Sequence, residues 1–258
     1  MFAAFVYFSL CLPGAYKRAV HPFRIEKCNI EVPYHSEWDI PQEREKIEGI
    51  FSAPFTYFSK GKQSYVFLSQ DQKYVLKLFR FDTCRMPLGQ KTVRMISEWF
   101  GLPVKEIKRT FEADAVKTFL SCYLSYTVAK DQTGVVFVYL NPQKGKFPDF
   151  IVKDRMGISY KVDAGRYRFV VQRKADPFLK TLECAENREP LIDSYRTLLE
   201  ELQSLGLSNE DPKLSDNFGV LDGKVVAVDI GNFIPMKVYP KGEVNRFKDR
   251  LEKWLEKR

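Results

Sequence analysis

Seven apolar residues between positions 191 and 205, Leu191, Ile192, Tyr195, Leu198, Leu199, Leu202 and Leu205, keep helical spacing, and Gly206 follows them as a C-cap. The pattern predicts a helix over about Pro190 to Leu205 with one buried face. It constrains the fold because it delivers the chain directly into a polar loop, Asp211-Pro212-Lys213-Leu214-Ser215-Asp216-Asn217. Phe218 to Leu221 and Val225 to Val228 then form two apolar or β-branched runs joined across Asp222-Gly223, a strong two-residue turn signal. A hairpin there brings Asn217 and Asp229 to the same end of two paired strands. Asp211 then supplies a carboxylate for a hydroxyl proton, and Asn217 and Asp229 supply hard oxygen ligands for Mg²⁺. An ordinary hairpin whose open end is solvated by Asp and Asn is the plainer reading of the same residues.

Upstream, residues from about 25 to 53 read as an irregular lead-in with one short helix at Gln42 to Ile50. Phe55 to Phe58, Ser64 to Leu68 and Tyr74 to Phe81 read as three strands, the last two joined by the polar turn Ser69 to Lys73. Helical patterns appear near Gln90 to Phe100 and from Val104 to about Tyr126, separated by Gly101-Leu102-Pro103. In the longer one Phe111, Ala115, Phe119, Cys122 and Tyr126 share a face. Val135 to Leu140, Ser159 to Val162 and Tyr167 to Gln172 are β-rich, with a basic turn, Asn141 to Lys146, between the first two. A last amphipathic helix, about Glu243 to Arg258, carries Val244, Phe247, Leu251, Trp254 and Leu255 on one side.

The 258 residues suit one large domain or a two-lobed one, and 45% hydrophobic with 29% charged residues is the balance of a folded chain. The five cysteines are odd in number, widely spread and without metal-ligand spacing, which fits a reducing, cytoplasmic compartment. With only His21 and His35, a His-based triad or zinc site is disfavoured. A net charge of +8 suits polyanions, yet the bases are interleaved with acids, as on solvated surfaces. No aromatic-basic array is present, so nucleic acid is a disfavoured partner. The start, Met1 to Leu12, is apolar but too short to span a bilayer alone, and it lacks the basic n-region of a secretory signal. It reads as a membrane anchor, as the remnant of a mis-assigned start site, or as a packed segment. If it inserts, Lys17, Arg18 and Arg24 hold the rest of the chain on the cytoplasmic side.

The order of these pieces resembles the protein-kinase-like fold over roughly residues 50 to 235. Ser59-Lys60-Gly61-Lys62-Gln63-Ser64-Tyr65-Val66 stands where kinases carry G-x-G-x-x-G-x-V, and keeps only the middle glycine. Tyr74-Val75-Leu76-Lys77 looks like V-A-I-K, and Asp229-Ile230-Gly231 resembles D-F-G. Asp211-Pro212-Lys213 looks like Asp-Leu-Lys, preceded by Asn209-Glu210 in place of His-Arg. Asn217 stands six residues after Asp211, one more than the family pattern, and Asp216 is the alternative to it.

The resemblance implies an α+β, two-lobed fold: a hydrophobic segment and basic flank at 1–24, a sheet plus long helix over 25–172, and a minimal helical lobe over 173–258. It also implies ATP and Mg²⁺ as cofactors. Gly61, Ser64, Val66 and Lys77 would hold the nucleotide, with Glu112 pairing Lys77 and Asp114 or Glu106 as alternatives. Asp211 and Lys213 would be catalytic, and Asn217 and Asp229 would hold the metal. Only 27 residues come after Gly231, where the family places its activation segment and A-P-E element, so the implied C-terminal lobe is much shortened. Three functions stay open: phosphoryl transfer from ATP to a hydroxyl acceptor; a pseudokinase serving as a nucleotide-binding or protein-docking module; or, on thinner sequence support, an anchored surface or nucleic-acid-binding protein using its net charge and aromatics. Partners would be a nucleotide, another protein, and a membrane if the apolar start inserts.

Overall fold

The computed structural model describes residues 23–30, 32–40, 44–80, 105–209, 211, 213–236 and 243–256, without the side chains of 44–46, 105–112 and 243. The apolar start and the helix expected at Gln90 to Phe100 lie outside the described residues. In chain order the elements are α1 (Arg44–Ile50), β1 (Phe55–Lys60), β2 (Ser64–Leu68), β3 (Tyr74–Phe79), α2 (Lys105–Thr127), α3 (Lys130–Thr133), β4 (Val135–Tyr139), β5 (Phe150–Lys153), β6 (Ser159–Val162) and β7 (Phe169–Arg173). After these come β8 (Asp176–Pro177), α4 (Phe178–Cys184), α5 (Glu189–Ser204), β9 (Leu207–Asn209), α6 (Leu214–Asn217), β10 (Phe218–Leu221), β11 (Lys224–Ala227), β12 (Phe233–Pro235) and α7 (Glu243–Leu255). The class is mixed α+β. The chain divides into two compact units, Met1–Arg85 with Tyr139–Phe169, and Met86–Val138 with Val170–Arg258.

In the first unit β1, β2 and β3 form an antiparallel meander, β5 adds parallel to β1, and β6 pairs antiparallel with β5. The strand order is therefore β3-β2-β1-β5-β6. Asn141 to Lys146 does not lead directly to Ser159 as the sequence suggests, because β5 intervenes. Its four residues come after Pro148-Asp149, a loop-like pair, and its partner β1 is far away in sequence, so no local period marks it. Phe51 packs on Phe55, Phe147, Phe150 and Phe169 with ring centroids 4.7 to 5.6 Å apart. Phe23 sets its edge on Tyr65, Phe67 and Tyr160. Each such ring, once buried, contributes about 2–3 kcal/mol of transfer free energy.

The lead-in is held by a buried cation. Arg168, 6% exposed, donates Nε–H to the Leu140 carbonyl at 2.7 Å, Nη1–H to Ile30 at 2.7 Å and Nη2–H to Val32 at 2.9 Å. Burial draws its pKa down to about 10, which leaves it charged at neutral pH, and the three carbonyl dipoles offset part of its desolvation.

The second unit contains the expected leucine-rich helix as α5, with Ile192, Tyr195, Leu198, Leu199 and Leu202 buried. Leu205 lies just past its end and is 37% exposed. Gly206, at φ +69°, takes the left-handed conformation a helix end asks of glycine. Tyr195 stacks on Phe178 at 5.3 Å and meets Phe218 edge-on at 5.0 Å, and its hydroxyl donates to the Phe247 carbonyl of α7 at 3.4 Å. Phe247 and Leu251 are buried, so α7 packs within this unit. The predicted hairpin is β10 with β11, in register Phe218 to Ala227 through Leu221 to Lys224. Asp222 and Gly223 have φ of 52° and 79°, as a type I′ turn requires. Two pairings have no counterpart in the sequence pattern: β8 on β10, and β9 antiparallel to β12. Among the described residues no helix is long and apolar enough to cross a membrane.

Candidate functional site

The β9–β12 pairing brackets the Asp/Asn loop. Phe233 lies opposite Asn209 and Pro235 opposite Leu207, so the chain leaves the ladder after Asn209 and rejoins it at Phe233. The described residues between are loop, one helical turn and hairpin. Asn209 is 5% exposed, and its Oδ1 accepts the Asp211 N–H at 3.0 Å. Asp211 Oδ1 in turn accepts the Lys213 N–H at 3.3 Å, an Asx turn that curls the loop back on itself. Residues Leu214–Asn217 then form the single turn α6. That turn accommodates the sixth step from Asp211 to Asn217, since helical residues rise only about 1.5 Å each.

Asn217 is the hub of this segment. It is 1% exposed, and its Nδ2 donates to the Asp211 carbonyl at 2.6 Å. Its own carbonyl accepts the N–H of Val228 at 2.8 Å and of Asp229 at 3.4 Å. Through this one residue the Asp211 loop and the Asp229 loop become neighbours. Asp229 Oδ1 accepts the Gly231 N–H at 3.2 Å. Asn217 Oδ1 and Asp229 Oδ2 accept no hydrogen bond within the described residues, and both belong to the hard-oxygen class that Mg²⁺ prefers. Asp211 and Asp229 are half-buried, whereas Lys213 is exposed. Among the described residues no three His, Cys, Asp or Glu side chains group as a metal site. The donor set is one amide and one carboxylate, which fits Mg²⁺ when phosphate oxygens and water complete the shell.

Sequence reasoning missed the residue that fixes the far side of the loop. Ser121, fully buried on α2, donates from Oγ to the Ile230 carbonyl at 2.6 Å and accepts the Phe233 N–H at 2.6 Å. A signal existed: Thr118, Ser121 and Ser125 interleave with the apolar face of α2 at spacings of three and four, and all three are buried. In sequence, Asn209 merely stands where kinases have another residue. In the structure it lines a small hollow with Leu199, Leu202, Leu207, Phe218, Val244 and Phe247, and its Nδ2 has no partner among the described residues.

Gly61, Ser64, Val66 and Lys77 belong to the first unit. The Gly61 N–H donates to the Ser64 carbonyl at 2.9 Å, closing the turn between β1 and β2. Val66 lies directly opposite Lys77 across β2 and β3, and both are half-buried. Glu112 lies on α2 in the second unit, with its side chain outside the described residues, as is that of Glu106. Asp114 is exposed.

No protein-family model matches the chain, and no curated protein sequence does. Solved structures give distant likenesses. A crystal structure of WbdD matches at 16% identity and TM-score 0.41, over 78% of this chain and 38% of that one. A structure of WbdD described as a bifunctional kinase-methyltransferase matches at 15% and TM-score 0.37, over 73% and 34%. Rv3197 from Mycobacterium tuberculosis, in complex with erythromycin, matches at 15% and TM-score 0.39, over 84% and 60%. The chain thus spans under two fifths of the WbdD structures.

Proposed function

We propose that this protein is a divergent member of the protein-kinase-like class that binds ATP with Mg²⁺ and transfers a phosphoryl group to a hydroxyl acceptor. The observation that carries the reading is the Asn217 hub, which draws Asp211 and Asp229 together and leaves oxygens of Asn217 and Asp229 without protein partners among the described residues. In this reading Asn217 and Asp229 hold Mg²⁺, which neutralises phosphate charge when bound. Asp211 accepts the hydroxyl proton, and Lys213 supports the transferred group. By the resemblance, Lys77, Gly61, Ser64 and Val66 would hold the nucleotide, with Glu112 pairing Lys77. Catalysis of this kind is mostly positioning and charge neutralisation, so the residues need fixed geometry more than unusual acidity.

Two observations favour a second reading, a pseudokinase that holds nucleotide without transferring it. The Asp211 carboxylate is turned onto the Lys213 N–H, and the turn Ser59 to Val66 keeps a single glycine of its pattern. A thermal melt separates the outcomes. ATP with Mg²⁺ is expected to raise the melting temperature, EDTA to remove the shift, and Asp229→Ala to abolish it with the far-UV spectrum unchanged. No shift in the parent protein would overturn nucleotide binding. A shift without turnover on hydroxyl acceptors would select the second reading.

A further inference from the structure

Parallel pairing of β1 with β5 sets Phe55 opposite Val152 and Thr56 opposite Lys153. Parallel neighbours finish at the same end of a sheet, so the turn after β1 and the turn after β5 project side by side. Phe58 lies where the register of β1 against β2 shifts, between Tyr57 and Ser59. Arg80, just after β3, comes to this end too, its N–H donating to the Gln63 carbonyl at 2.8 Å.

The two segments expose an unusual pair of chemistries. Phe58, within β1, is 59% exposed, and Met156 and Ile158, in the turn after β5, are 54% and 46% exposed, large apolar groups left in water. Lys60, Lys62 and Arg155 are exposed among them, and Lys153 is half-buried beside them. Residues 55–62 and 153–158 contain those four bases and a single acid, Asp154. That acid is 1% exposed and turned inward, accepting the N–H of Met156 at 2.8 Å and of Ile158 at 2.9 Å, and the Tyr160 hydroxyl at 3.3 Å. These segments therefore present an apolar and cationic surface outward.

We propose that this end of the sheet docks on an anionic phospholipid bilayer, with Phe58, Met156 and Ile158 entering the headgroup boundary and Lys60, Lys62, Lys153 and Arg155 lying against lipid phosphates. Apolar side chains among bases are the pattern of interfacial binding, in which buried apolar area and attraction to anionic lipid add. Nucleic acid would use the same bases but wants aromatic faces for stacking, and only one of the three apolar side chains is aromatic. The site is independent of the apolar start of the chain; it shares the β1–β2 turn, through Lys60 and Lys62, with the Gly61 and Ser64 of the nucleotide reading, and vesicle retention in the absence of ATP reads it alone.

The test is cosedimentation of the full chain with vesicles of phosphatidylcholine alone or mixed with phosphatidylserine. Retention on the mixed vesicles, falling as salt rises, is expected. Phe58→Ser/Met156→Ser/Ile158→Ser and, separately, Lys62→Glu/Arg155→Glu should each weaken it about tenfold, with the melting temperature kept. Equal retention of parent and variants would overturn the proposal by assigning the binding elsewhere in the chain. Failure of the parent to bind anionic vesicles, or binding to RNA instead, would also overturn it.

Discussion

Ser121 illustrates how a single hydroxyl can govern a loop it does not belong to. It satisfies the Ile230 carbonyl and the Phe233 N–H from a helix more than a hundred positions earlier in the chain, at 2.6 Å each. Ser121→Ala takes the acceptor from the buried Phe233 N–H and leaves the Ile230 carbonyl only the weak Cys122 Sγ–H donor at 3.8 Å, at a cost of about 1–3 kcal/mol. A lower urea midpoint is expected, together with a smaller ATP–Mg²⁺ melting shift, because Asp229 directly precedes the released carbonyl. Asp39 makes a pH-dependent contribution. Its carboxylate accepts from Lys146 Nζ at 2.8 Å and from the Tyr34 hydroxyl at 2.7 Å, and these bonds, the Lys146 one foremost, hold its pKa below the usual carboxylate range. A folded pKa below the unfolded one contributes stability that is fully present above about pH 4 and lost as pH falls through the depressed value. Asp39→Asn should therefore lower neutral stability and flatten the acid limb of a pH titration monitored by circular dichroism.

At the level of elements, close approach explains features that pattern alone does not. Gly219 on β10 faces β8, and a Cβ there would lie 2.7 Å from Ala175 Cβ and 3.0 Å from the Asp176 carbonyl. Gly219→Ala should cost about 1–3 kcal/mol through overpacking, read as a lower melting temperature, and the displacement reaches the Phe218 end of the strand next to Asn217. The hairpin itself was legible because Asp222-Gly223 is a local signal and the apolar runs flank it directly. The helix α5 was legible because its period is carried by residues within a few turns. The pairs β9–β12 and β8–β10 were not, since strands of two or three residues have no period and their partners lie far along the chain. Of the candidate site, Asn217 and Asp229 could be read as neighbours from the hairpin. The Asp211 contact could not, because it depends on α6, a single turn that no run of seven residues announces.

For the molecule as a whole, the division into units is the strongest constraint, and neither unit is a continuous stretch of sequence. The chain completes the first only after making the start of the second, passing between them inside β4 and β7. Long stretches between partners make for a slow search, since loop closure comes before the contacts that reward it. The parallel contact between β1 and β5 shows what this means on the ribosome. The meander β1-β2-β3 can pair internally as soon as it emerges, yet one side of β1 has no neighbour until Phe150–Lys153 has been translated. Throughout that interval a nascent chain offers an unsatisfied row of amides and carbonyls to any other chain nearby. Cells making this protein quickly would be expected to need a holdase during that window.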